Sequence, residues 1–260
     1  MTITTDLFPG GKTKALTLSY DDAVTQDIKL VEIFNRYGIK CTFNLNAGLL
    51  KSGQDWTLKG VNISKLKVEE LVALYKGHEV AIHSYTHPHL ELLPKDQIIA
   101  EIYEDRKALE EWFQYPVRGM AFPFGTYNHE VLEVLKDLRI EYSRTVNSHE
   151  SFQLPENYLE WDPTCHHANS KVMDLAKEFL ESDEKYKLSL FYLWGHSYEF
   201  DVDNNWQLIE EFCNLVAKNP SIWYATNIEI IDYLKGIKTL SFSNNGNSVY
   251  NPAGISIWIS

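Results

Sequence analysis

Paired cysteines are missing from this chain. Cys41, Cys165 and Cys213 stand far apart, and no Cys-x-x-Cys occurs. Three cysteines cannot all pair within one chain, and no zinc-ribbon spacing is present, so a reducing compartment is expected. Positive charge is also scarce. Lys and Arg total 24 against 36 Asp and Glu, a formal charge of −12. Nucleic acids and anionic membranes select basic patches, so neither is expected as a partner. Long apolar runs are absent: no stretch approaches the roughly 18 residues a membrane span needs. Met1-Thr2-Ile3-Thr4-Thr5-Asp6 carries neither the basic segment nor the apolar core of a signal peptide. Unless a leader was removed earlier, the cytoplasm is the expected location. Low-complexity tracts, repeats and Pro/Ser-rich linkers are absent as well, so residues 1–260 read as a single domain.

What is present is an alternation of apolar strand-like runs and amphipathic helices. Ala15–Tyr20 reads as a strand and Thr25–Tyr37 as a helix, with Ile28, Val31, Phe34 and Tyr37 on one face and Gly38 as C-cap. Ile39–Leu45 is strand-like. Val68–Lys76 is a helix ended by Gly77, and Glu79–His83 is the next strand. Pro94 opens a helix to about Phe113, with Ile98, Ile102, Leu109 and Phe113 inward. Strands follow at Val117–Phe122, Ile140–Val146, Tyr158–Trp161, Leu188–Trp194 and Ile222–Thr226. The intervening helices run over Asn128–Leu138, from a Ser170 cap to Leu180, over Asn205–Lys218, and from an Asn227 cap to Leu234. Residues 240–260 read as a short β appendage with turns at Asn244–Asn247 and Asn251-Pro252. Strands alternating with helices mean a parallel sheet. At this length the expected closure is a distorted (β/α) barrel of seven or eight strands.

In such barrels chemistry sits on the loops after the strands. Asp21 and Asp22 follow the first strand, His83 ends the third, and Pro123, Phe124 and Gly125 follow the fourth. Arg144 lies near the end of the fifth, Asp162 follows the sixth, and His196 follows the seventh. Asp21-Asp22 alone reads equally as a helix N-cap with favourable charge at the helix's positive end. His83 and His87, four apart, would face one way on a helical turn, and alone read as readily as packing. Together they make a set of one Asp and two His for a divalent ion, with one carboxylate spare for activating water. His89, nearby, is either a supporting group or merely exposed.

Five short motifs carry a resemblance. Ser19-Tyr20-Asp21-Asp22, His83-Ser84-Tyr85-Thr86-His87, Phe122-Pro123-Phe124-Gly125, Trp161-Asp162 and Leu193-Trp194-Gly195-His196 stand in this order. They resemble those of the polysaccharide deacetylases of carbohydrate esterase family four, the NodB-homology domain. The resemblance implies that Asp22, His83 and His87 hold the metal, zinc first, with cobalt, nickel, manganese or iron as alternatives. It implies Asp21 as general base, His196 as general acid, and the Phe124 backbone N–H, just past Pro123, as a partner for the oxyanion. An amine expelled from a tetrahedral intermediate needs the proton His196 would give.

The sequence departs from the family in one place. Relatives carry an arginine two residues before the proline of the third motif, where it holds the catalytic aspartate; here that position is Ala121. Arg144 is the preferred replacement and Arg118 the other candidate. Asp162 either orients His196 or is a turn residue ahead of Pro163. Trp161 and Trp194 either stack on a sugar or pack in the core. Cys165-His166-His167 reads as rim, because adjacent His side chains point different ways. The resulting expectation is a metal-dependent deacetylase of an N-acetylated, or O-acetylated, sugar or glycan. Hydrolysis of another small amide or imide, and a silent carbohydrate-binding relative, are the rivals. No feature of the pattern fixes an oligomeric state.

Overall fold

A computed structural model describes residues 3–182 and 188–260. Met1 and Thr2 of the amino-terminal stretch read above for a leader lie outside the described residues. In chain order the elements begin β1 (Lys14–Asp21), α1 (Asp27–Tyr37), β2 (Thr42–Leu45), α2 (Ala47–Ser52), β3 (Trp56–Leu58), β4 (Val61–Ile63) and α3 (Val68–Leu74). They continue with β5 (Glu79–Ile82), α4 (Lys95–Phe113), β6 (Gly119–Ala121), α5 (His129–Asp137), β7 (Tyr142–Arg144), β8 (Cys165–His166) and α6 (Val172–Glu181). The chain ends with β9 (Ser189–His196), α7 (Glu199–Val202), α8 (Trp206–Val216), β10 (Ile222–Tyr224), α9 (Asn227–Thr239), β11 (Ser241–Phe242) and β12 (Val249–Tyr250).

The main sheet is parallel and runs β7-β6-β5-β2-β1-β9-β8, with β10 also on β1. β1 serves two neighbours on one side: Lys14–Leu16 pair with β10, and Ser19–Asp21 pair with β2. The sheet curls until the segment following β7 closes it. Trp161 N–H donates to Ser143 O at 2.9 Å on one side, and His167 N–H donates to Trp194 O at 2.8 Å on the other. This is the distorted (β/α) barrel expected from the alternation of elements. Along β1, Leu16, Leu18 and Tyr20 pack into the layer shared with the helices. Ala15 joins Tyr142, Trp161, Leu190 and Tyr192 in a second cluster. That two-residue alternation puts Asp21 on the Ala15 side at the strand's end.

Several expectations need correction. Tyr158–Glu160 is a 3-10 turn, not a strand; only Trp161 pairs, through an isolated bridge to Arg144. Ile28 is 52% exposed, because the buried stripe of α1 runs through Asp27, Leu30, Val31 and Phe34 instead. The cap of α9 is Thr226, whose side chain and Glu229 form a capping box, and the helix continues to Thr239. Asn227, freed from that duty, bonds Thr17 and Tyr192 in the interior. Lys171 rather than Ser170 precedes α6, without a side-chain cap. The span 46–63 contains α2 and the β3–β4 hairpin, elements too short for periodicity to reveal. The carboxy-terminal appendage forms the small β11–β12 pair. Among the described residues no helix is long and apolar enough to cross a membrane.

Candidate metal centre and active site

Asp21 is the last residue of β1, and the chain then turns through two non-glycine residues of positive φ, Asp22 at 85° and Ala23 at 50°. Such conformations cost on the order of 1–3 kcal/mol each and persist only where neighbours hold them. Asp22 N–H donates to Asn44 O, and Leu66 N–H donates to Ala23 O, both at 3.0 Å. The Lys65 ammonium, buried, donates to Asp22 O at 2.5 Å and lies 3.5 Å from its Oδ1. The turn thus sends the two carboxylates different ways. Burial alone would raise the Asp22 carboxyl, but Lys65 and the imidazoles of His196, His83 and His87 hold it well below the ordinary carboxylate range.

His83 follows β5. Its backbone N–H meets Asp105 Oδ2 at 3.0 Å, while Asp105 Oδ1 accepts from Ala47 N–H at 2.6 Å. Its ring Nδ1 lies 2.8 Å from Ala121 O, so Nδ1 carries the proton and Nε2 presents a lone pair. Residues 83–87 form no helical turn, contrary to expectation; Ser84 and His87 take positive φ of 61° and 57°. That irregular loop still brings His87 Nε2 to 3.2 Å from His83 Nε2. Nitrogens of Asp22's two neighbours and a carboxylate oxygen of Asp22 lie within 4.8 Å of one another. Burial lowers the His83 ring below its ordinary value and takes His87 down to about 4, so both stay neutral, the form that ligates. The Nε2 lone pair of His83, the neutral imidazole of His87 beside it and an ionised carboxylate fit a divalent cation.

Asp21 is held differently. Arg144 Nη2 donates to its Oδ2 at 2.5 Å and Asn44 Nδ2 to its Oδ1 at 2.7 Å. Burial would raise this carboxyl; Arg144, His83 and His196 together outweigh burial and keep it below its usual value. The guanidinium carbon sits 4.3 Å over the Trp194 ring, so Trp194 supports the arginine. Arg118 is elsewhere, bidentate on Asp232 at 2.9 and 2.6 Å.

His196, at the end of β9, has Nε2 3.8 Å from Asp21 Oδ2 and Nδ1 3.3 Å from Glu199 Oε1. Burial would lower this imidazole, but Glu199, Asp21 and Asp22 raise it to about 9. The carboxylate against His196 is therefore Glu199; Asp162 accepts from Thr145 Oγ1 and Asn147 Nδ2 instead. Gly195 permits the packing: a Cβ there would lie 2.1 Å from His167 Nδ1. Trp161, at 2% exposure, packs against Tyr142 and Tyr192 and offers no face to a sugar.

Pro123 is buried and leads into Phe124, which adopts φ 58° and is 52% exposed as a residue. That ring stacks on His89 at 4.0 Å and meets His87 edge-on at 4.5 Å. His89 lies by Glu91 and Thr126 and is absent from the donor cluster. His166 and His167 are not mere rim, since both reach Glu199 Oε2 at 3.1 Å. Lys65, Asn44, Asp105 and Glu199 support the site without belonging to any of the five motifs. For Asp105 a signal existed: it falls on the inward stripe of α4 with Ile98, Ile102 and Leu109, where a carboxylate needs a buried partner.

The family model for polysaccharide deacetylase matches residues 9–143. A protein from Wigglesworthia glossinidia brevipalpis, assigned as a 4-deoxy-4-formamido-L-arabinose-phosphoundecaprenol deformylase, is 32% identical over 93 residues, 34% of this chain and 32% of its own length. Peptidoglycan-N-acetylglucosamine deacetylase of Listeria monocytogenes is 25% identical over 128 residues, covering 48% of this chain and 25% of the relative. The match thus spans a third or less of these relatives. A crystal structure from Mycobacterium smegmatis, placed among the polysaccharide deacetylases, superposes with a TM-score of 0.66 at 16% identity, covering 89% of this chain and 93% of that one, and shows the shared fold. The chain belongs to the polysaccharide deacetylase family.

Proposed function

We propose that the chain is a metal-dependent hydrolase that removes acetyl groups from an N-acetylated sugar or glycan. One observation carries the reading: Asp21 Oδ2 stands 3.8 Å both from His83 Nε2, in the candidate metal set, and from His196 Nε2. Asp22, His83 and His87 would hold the ion, and their nitrogen and oxygen donors suit zinc first. Bound there, such an ion supplies Lewis-acid activation of water and of the amide carbonyl. Asp21 takes the proton of the attacking water. Arg144 keeps that carboxylate ionised and aimed, at some cost in basicity, since the same charge that fixes it weakens its pull on a proton. His196, protonated at neutral pH, gives its Nε2 proton to the departing amine. The Phe124 N–H is the assigned partner of the developing oxyanion, and the exposed Phe124 ring forms a wall of the mouth.

Acetate release from N-acetylglucosamine oligomers by the zinc-loaded protein is the test. Asp21→Asn should keep the metal and lose turnover; full activity would remove Asp21 as base. Absence of bound metal would sink the catalytic account and leave the silent-binder reading. A second reading, cleavage of a different small amide, has the named deformylase relative behind it. Formate release from a formamido sugar without acetate release from the acetyl sugar would favour it.

A further inference from the structure

Three imidazoles converge on Glu199. His166 Nε2 and His167 Nε2 lie 3.1 Å from Oε2, and His196 Nδ1 lies 3.3 Å from Oε1. His166, His196 and Glu199 bring one ligand atom each within 4.8 Å of one another, as do Asp22, His83 and His87. Proximity alone therefore does not distinguish a second cation site from a hydrogen-bonded cluster, but the other ring nitrogens do. A ligating imidazole must offer a lone pair. Ala168 N–H donates to His166 Nδ1 at 3.1 Å, which places that ring's proton on Nε2, facing the carboxylate. His83 is the reverse case: its Nδ1 faces a carbonyl, and its Nε2 lone pair faces the metal set. His167 Nδ1 lies 3.2 Å from Tyr20 Oη; with Tyr20 as donor, Nε2–H again points to Glu199. The cluster aims protons, not lone pairs, at its centre.

We propose that Glu199 is a positioning residue for His196, with His166 and His167 clamping its carboxylate, and that this cluster takes no metal. Glu199 Oε1 lies 3.3 Å from Nδ1 of His196, an ion-pair contact outside hydrogen-bond geometry, and Glu199 Oε2 accepts from the His196 backbone N–H. Its charge thus holds the ring from the Nδ1 side with Nε2 toward Asp21, where the leaving amine needs a proton. His167 is 2% exposed and pressed against Gly195, so the clamp has little freedom. The role deepens the deacetylase reading and rests on His196 being its proton donor. The groups facing His196 are Asp21 and Asp22 from the end of β1, His166 and His167 from the β8 side, and Tyr198 and Glu199 from the β9–α7 corner. Arg144 stands behind Asp21. Tyr198 is pushed further into its neutral form by burial and by Asp22 and Glu199, so it adds no charge.

The experiment is nitrogen NMR titration of His196 in the zinc-loaded protein, which needs no substrate, together with metal counting and kcat against pH. Glu199→Gln should lower the His196 pKa by about one unit or more. It should also reduce kcat by roughly tenfold to a hundredfold with little change in KM. Glu199→Asp should recover part of both, and His166→Gln should produce a smaller shift in the same direction. Each variant should retain one metal per chain. An unchanged His196 titration in Glu199→Gln would overturn the positioning role. Two metals in the wild type falling to one in Glu199→Gln would instead make the cluster a metal site. Should Glu199→Gln fail to fold, His166→Gln reads the same titration. An NMR shift in Glu199→Gln when the wild type itself releases no acetate removes the deacetylase reading and leaves the hold of Glu199 on His196 standing.

Discussion

Ala121 and Arg144 are Cα partners across the parallel β6–β7 ladder. The position where relatives carry the arginine and the position where this chain carries one are therefore neighbours at the same height on adjacent strands. An arginine can leave one strand for the next and still meet Asp21, because the target is a point at the mouth and both strands end beside it.

Replacing Arg144 with Ala should abolish most turnover while metal stays bound. The change strands a buried carboxylate, so a loss of about 3–5 kcal/mol in stability should accompany it. Adding Ala121→Arg to Arg144→Ala restores a cation on the neighbouring strand at that height, and activity should partly return. No recovery, in a double variant that folds and holds metal, would mean that height alone does not define the contact. Metal analysis, melting curves and kcat on the three proteins read all of this.

The metal set gives a second expectation. His83→Ala removes the imidazole whose lone pair Ala121 O orients, and should eliminate tight metal retention. Asp105→Asn leaves every proposed ligand in place but weakens the hold on the His83 and Ala47 backbones. Metal affinity should fall by roughly tenfold to a hundredfold, since supporting partners are worth about that much. Equal affinity in Asp105→Asn and wild type would show that the loop needs no such anchor.

What the sequence revealed of this site was local. Asp21, Asp22, His83 and His196 each close a strand-like run, so a pattern a few residues long finds them. Lys65, Asp105 and Glu199 act across the fold: Lys65 meets Asp22 at a separation of 43 residues, and Asp105 meets Ala47 at 58. Their charge argues for solvent until the packing is known. The barrel was legible because strand and helix periods alternate cleanly. The seam was not, because residues 161–167 pair with β7 at one end and β9 at the other without forming one long strand. Trp161 illustrates the ambiguity: its motif position suggests substrate contact, whereas its burial against Tyr142 makes it core.

The pH profile should have its alkaline limb set by His196. Its proton is held more tightly in the folded chain, to about 9, than in a free imidazole near 6.5. The acid form is therefore fully present at neutral pH, and kcat should fall as pH rises through about 9. An alkaline limb near 6.5 would show that the surrounding carboxylates do not act on His196 in the working enzyme.

Asp27 supplies a test of stability separate from turnover. It is wholly buried in the first turn of α1, accepting from Tyr75 Oη at 2.6 Å and from Ser197 Oγ at 2.5 Å. Burial raises its carboxyl to about 7, from an ordinary value of 3.8. The folded chain thus binds this proton more tightly than the unfolded chain. The associated stability is whole below about pH 4 and drains away as pH rises through about 7. Asn mimics the protonated carboxyl in shape and in its single donor-bearing arm, and either hydroxyl can rotate to accept from it. Asp27→Asn should therefore match the wild type in melting temperature near pH 4, exceed it at pH 8, and show a flatter curve between. Parallel curves across that range would mean that Asp27 is already ionised in the native state, with its two hydroxyl donors sufficient to hold the charge.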